Sequence, residues 1–137
     1  MPERSSRVWL YQLWYACRMT ESGDGRPILS VRFYATSPGN EPVRRWLLGL
    51  TADDRRIVGR DIKTAQYGWP CGMPLIRKLE PGLWEVRSRI DDGIARVVFT
   101  VDGPVMVLLH GYVKKTQKTP AADLRIARQR ATGLRKG

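Results

Sequence analysis

Histidine and cysteine are nearly missing from this chain: among 137 residues there are one histidine, His110, and two cysteines, Cys17 and Cys71. Two cysteines so far apart give neither a disulfide framework nor a zinc-ligand spacing, and a lone histidine does not complete one. Both therefore read as small apolar residues of a reducing compartment. Long apolar runs are also missing. The stretch Val8–Cys17 is too short to span a bilayer, is interrupted by Gln12, and is followed by no small-x-small cleavage pattern. There is no phosphate-cradling glycine loop, no dinucleotide fingerprint, no His-Glu-x-x-His and no paired-carboxylate pattern. Asp53-Asp54 and Asp91-Asp92 read as a helix start and a turn. No metal, no cofactor and no membrane are expected.

Acidic residues are scarce in a functionally pointed way. Lys and Arg number 24 against 13 Asp and Glu, for a net charge of +11. Such an excess opposes compaction by self-repulsion, so it points to a polyanionic or acidic partner. It is unevenly placed. Residues 75–113 balance five cations with five carboxylates, whereas residues 114–137 carry eight Lys/Arg against Asp123 alone. With 42% hydrophobic and 27% charged residues the chain otherwise has the make-up of one folded domain.

Residues 1–29 read as an N-terminal extension and linker, because Thr20–Pro27 has linker composition, and residues 30–137 as the domain proper. Val31–Ala35 has strand character. Asn40 and Pro42 suit a helix start, and Val43, Trp46, Leu47 and Leu50 recur on one helical face. Thr51 with Asp54 restarts a helix whose buried stripe is Ile57, Val58, Ile62 and Ala65. After Pro74 the apolar period becomes two, and turn residues near 81–82, 92–93 and 102–104 divide four strands. Thr119-Pro120 opens a C-terminal helix with apolar Leu124, Ala127 and Ala131. The expected fold is α+β: two N-terminal helices packed on an antiparallel β-sheet, with a C-terminal helix.

The hairpin around Asp92-Gly93 carries the chemistry. With those two residues as the turn, one face collects Trp84, Val86, Ile90, Ala95, Val97 and Phe99, and the other Glu85, Arg87, Arg89, Arg96 and Val98. Clustered arginines repel unless an anion sits among them, so the second face reads either as a solvated basic face or as a phosphate-binding concavity. The last strand leads into His110, Tyr112, Lys114, Lys115 and Lys118, which combine cations, an aromatic ring and a titratable group, as RNA handling requires. Taking Asp102-Gly103-Pro104 as a three-residue loop places His110 opposite Arg96. A two-residue loop turns His110 toward the core.

The segments Lys78–Arg87, Ala95–Phe99 and Leu109–Pro120 together resemble the HigB-type branch of the RelE/ParE toxins of toxin–antitoxin systems, over about residues 30–132. The resemblance implies a RelE-like microbial ribonuclease fold, metal-independent cleavage of mRNA on the ribosome, a cytoplasmic location and a cognate antitoxin, expected to be of the helix-turn-helix type. It implies that Arg87 and Arg96 hold the scissile phosphate and that Lys114 or Lys115 follows them at the site. Joined to the sheet-face reading, the catalytic candidates are Arg87, Arg96, His110 and Lys115, and the RNA-binding candidates Lys78, Arg89, Tyr112, Lys114 and Lys118. The Asp-Tyr-His or tyrosine ending of some relatives is absent here, so the resemblance does not fix the acid and base. A ParE-like inhibitor of DNA gyrase and a non-enzymatic nucleic-acid-binding module are the alternatives.

Overall fold

A computed structural model of the protein describes residues 26–114 and 120–136. Among these residues the order is β1 (Ser30–Phe33), α1 (Pro42–Leu48), α2 (Ala52–Gly68), β2 (Ile76–Glu80), β3 (Leu83–Ile90), β4 (Gly93–Asp102), β5 (Val105–Lys114) and α3 (Ala121–Lys136). The strands form one sheet in the order β1-β5-β4-β3-β2. β2 to β5 make an antiparallel meander, but β1 lies parallel to β5, so the sheet is mixed rather than antiparallel as expected. A strand's own periodicity shows that it is a strand. It does not show the direction in which a partner 75 residues further on will meet it, as Val107 meets Arg32.

Local chemistry accounts for the helices. α1 starts with Pro42 in its first turn, where a missing N–H removes no intrahelical bond. Asn40 is not its cap: Glu41 takes that position, and the Asn40 side chain instead bonds Thr36 and Arg45. α2 begins as expected, with Thr51 Oγ1 accepting from the Asp54 N–H at 3.2 Å. Val58, Ile62 and Ala65 of its stripe are buried. α1 and α2 cover one face of the sheet, with Val86, Ala95, Val97 and Phe99 beneath them. α3 covers the other through Ala127 and Ala131, against Leu83, Val98, Val107 and Leu109. Ile28 and Leu29 bond the Gln66 carbonyl through their N–H groups, so the chain is already anchored on α2 just before β1. No helix among the described residues is long and apolar enough to cross a membrane.

Cys71 is disulfide-bonded, which corrects the expectation of two reduced cysteines. Spacing along the chain says nothing of which sulfurs the fold brings together. The other cysteine, Cys17, lies outside the described residues, as do the N-terminal residues 1–25.

Two core positions carry predictions. Gly111 sits on β5 beneath the Trp46 ring of α1; an added Cβ would lie 2.7 Å from Trp46 Cδ2 and 2.8 Å from Cζ3. Gly111→Ala should therefore destabilise the fold by about 1–3 kcal/mol, the usual cost of overpacking a rigid neighbour. A paired Trp46→Leu change should recover part of it in chemical denaturation. The second position is Asp61, buried on α2. Burial pushes its carboxyl up to about 6, partly offset by the Ser88 hydroxyl and by Arg60. A carboxyl whose pKa is raised on folding holds its proton more tightly in the native state. Its contribution to stability is thus fully present below about pH 4 and lost as pH rises to about 6, by roughly 3 kcal/mol. Asp61→Asn should flatten this part of the stability–pH curve and leave the variant more stable than the parent at neutral pH.

Candidate functional site

Strand register builds the site. β3 and β4 pair Arg87 with Arg96, Glu85 with Val98 and Arg89 with Ile94. The turn between them is Asp91-Asp92, one residue earlier than the sequence suggests, with Ile90 opposite Gly93, so each β3 residue meets a β4 partner two positions earlier than expected. A shift of two leaves every side chain on its expected face, so Arg87, Arg89 and Arg96 do share one face and Val86, Val97 and Phe99 the other.

Between β4 and β5 the expected three-residue loop is replaced. Asp102 pairs with Val105, leaving Gly103-Pro104 as a two-residue turn. Gly103 takes a positive φ of 58°, and the missing N–H of Pro104 falls inside the turn, where no ladder needs it. A bulge then intervenes: Phe99 pairs with Leu108 but Val98 with His110, so Leu109 is the extra residue. Beyond it Arg96 faces Tyr112, not His110. His110 is nevertheless on the arginine face, one row away, because the bulge reverses the sidedness that the two-residue turn alone would give.

The face can be written as rows across strands. One row runs Arg77–Glu85–Val98–His110, the next Arg87–Arg96–Tyr112, and the third Arg89–Ile94–Lys114. Arg77 is a member that sequence reasoning missed. A second bulge, at Leu79, decides it: Glu80 pairs with Leu83 but Lys78 with Trp84. Without the extra residue Lys78 would face Glu85. With it, Lys78 moves to the Trp84 side, exposed and away from the cluster, and Arg77 takes its place.

Glu85 is the hub. It is fully buried, as is Arg96; its Oε1 lies 3.8 Å from Arg96 Nη1 and 4.0 Å from Arg87 Nε, and its Oε2 accepts from Tyr112 Oη at 3.5 Å. Arg87, with 10% of its side chain exposed, reaches the surface from this buried base and touches Met73 Sδ through Nη1. Burial and then the neighbouring Arg96 hold the Arg87 guanidinium below its ordinary range; Arg77 acts in the same sense, and Glu85 and Tyr112 oppose it. A cation disfavoured by burial and by like charges is stabilised by an incoming anion.

His110 sits at the edge of this group, its ring stacked on Tyr112 at 5.7 Å between centroids. Its Nε2 is 2.7 Å from Asp123 Oδ1 in the first turn of α3. In the sequence Asp123 stands out only as the lone acid of residues 114–137; nothing in the local pattern links it to a strand thirteen residues earlier. Two further contacts hold α3 on this face: Arg128 Nη2 bonds Glu80 Oε1 at 2.7 Å, and Arg130 Nη1 donates to the Leu109 carbonyl at 2.6 Å. The structure thus brings Arg87, Arg89, Arg96, His110, Tyr112 and Lys114 to one face and leaves Lys78 off it. Lys115 and Lys118 lie outside the described residues. No group of histidine, cysteine and acidic side chains among the described residues is arranged to hold a metal.

A family model for the phage-derived Gp49-like proteins (DUF891) matches residues 45–132, from within α1 to within α3 and including every member of the three rows. No curated protein matches the chain.

Proposed function

Because the chain belongs to the phage-derived Gp49-like family, a RelE/HigB-like family of toxin–antitoxin toxins, we propose that it is a toxin of the HigB type that cleaves mRNA on the ribosome. The observation that carries this reading is the row Arg87–Arg96–Tyr112, seated on the buried Glu85 and flanked by His110 with its Asp123 partner. In the proposed reaction a ribose 2′-oxygen attacks the adjacent phosphorus. The O2′–P bond forms, the P–O5′ bond breaks, and a cyclic phosphate and a free 5′-hydroxyl result. Arg87 meets the added negative charge of the phosphorane directly, and Arg96 supports it from below through Glu85.

His110 is the proposed base. With Asp123 accepting from Nε2–H, Nδ1 is the proposed acceptor for the 2′-hydroxyl proton, and Asp123 takes the orienting role a carboxylate plays in histidine-based catalysis. Arg77, Arg89 and Lys114 track the RNA backbone, joined by Lys115 and Lys118 of the segment that follows, with Lys115 as the proposed acid at the 5′-oxygen. Tyr112 works as a brace under the site, since its hydroxyl is directed to Glu85 and its ring to His110. The partners of this reading are mRNA, the ribosome and a helix-turn-helix antitoxin whose acidic segment complements the +11 charge, all in the cytoplasm.

Induced expression tests it. Growth should stop, and transcript ends should accumulate inside translated frames. Intact transcripts together with gyrase-linked DNA breaks would assign the protein to the gyrase-inhibiting relatives instead.

A further inference from the structure

The helix on the opposite side of the sheet has its own unexplained surface. α2 turns Val58, Ile62 and Ala65 inward and leaves Asp53, Arg56, Gly59, Arg60 and Lys63 exposed. Arg56 and Arg60 are one turn apart, about 6 Å along the axis, and Lys63 follows about 4.5 Å further on. The sole acidic member, Asp53, pairs with Arg56 at 3.5 Å with both side chains in solvent, so that pair is readily exchanged.

Gly59 lies between Arg56 and Lys63, three residues from one and four from the other, in the middle of the helix. Glycine is a poor choice there, because it raises the entropy cost of helix formation relative to alanine. The fold does not ask for it. Its φ is not positive, and an added Cβ would meet nothing within 4 Å among the described residues. A bare patch of helix backbone ringed by cations is what close approach of an anionic chain requires. None of the exposed residues of α2 is aromatic or large and apolar, and Tyr67, one turn beyond Lys63, is half-buried. That disfavours a protein interface, whose centre is built from such residues. It equally disfavours single-stranded RNA, which stacks its bases on aromatic rings. Residues 1–25 offer no complement, with three Lys/Arg against three Asp/Glu.

We propose that the outward face of α2 docks the phosphate backbone of double-stranded RNA, with Arg56, Arg60 and Lys63 as the cations and Gly59 as the point of closest approach. This surface is separated by the sheet from the arginine face and stands whether or not that face cleaves RNA. The test uses the full chain carrying Arg87→Ala and a blunt RNA duplex of unrelated sequence, with affinity measured across a salt series. Adding Gly59→Leu should raise the melting temperature, because leucine is the better helix former, yet weaken duplex binding about tenfold by blocking the approach. Adding Arg60→Glu with Lys63→Glu should weaken binding further and reduce the slope of log K against log salt by about two. A folded Gly59→Leu protein that binds the duplex as its parent does, or an unchanged salt slope in the charge-reversed protein, overturns the proposal. So does an Arg87→Ala parent with no duplex affinity, or a pattern in which the variants lose affinity for polyglutamate while keeping it for RNA.

Discussion

Replacing Arg96 with alanine is expected to remove about 3–5 kcal/mol of stability, the scale on which breaking a buried ion pair leaves its partner uncompensated. That is a large part of the 5–15 kcal/mol that hold a typical domain together. The partner is Glu85, which is fully buried with Arg96 beside it. Alanine would leave the carboxylate in a site with one fewer cation and a void the size of a guanidinium. The loss should therefore show as a lower denaturation midpoint, with or without RNA. Removing both charges together, as in Glu85→Gln with Arg96→Met, should return much of the stability, since a neutral filled site escapes the desolvation of two ions. If the single alanine variant unfolds at the parent's midpoint, Glu85 and Arg96 are not the structural base of the face.

Arg87→Ala should have the opposite signature: a fold as stable as the parent's and cleavage reduced about 100- to 1,000-fold, the cost of one donor to a developing oxyanion. The fold should tolerate the change because burial, Arg96 and Arg77 already oppose the Arg87 charge in the native state. Catalysis should not tolerate it, because Arg87 is the member of the Arg87–Arg96–Tyr112 row that reaches the surface from the Glu85 hub. His110→Gln should lose about 100-fold, the ordinary scale for a general base, and Asp123→Asn should follow in the same direction. Near-parental cleavage by a folded Arg87→Ala protein would remove the phosphate from this face.

Much of the architecture was legible because it is local. Thr51 and Asp54 specify the start of α2, and alternation from Ile76 onward specifies strands whose two faces are sorted as expected even though the Asp91-Asp92 turn lies one residue from its expected place and shifts the cross-strand partners by two. What escaped depends on single extra residues and on long-range meetings. The bulge at Leu79 exchanges Lys78 for Arg77, and the bulge at Leu109 returns His110 to the arginine face while setting Tyr112 opposite Arg96. Neither leucine is a residue type, such as glycine, that marks a bulge in a sequence. The parallel pairing of β1, the bond from Asp123 to His110, the disulfide at Cys71 and the seat of Trp46 on Gly111 are likewise products of the assembled fold. Glu85 was visible as one charge offsetting an arginine. Its role as the buried centre of the cluster was not, because alternation gives a residue's face but not its depth.

Every catalytic prediction above presupposes that the arginine face cuts ribosome-bound mRNA. That cleavage is tested most directly by adding the purified protein to translating ribosomes programmed with a single defined mRNA and mapping the new ends. The expected result is cuts within the reading frame that leave a 2′,3′-cyclic phosphate upstream and a 5′-hydroxyl downstream, with the same cuts strongly suppressed when Arg87→Ala protein replaces the parent. Full-length mRNA after incubation with folded, antitoxin-free parent protein would contradict it.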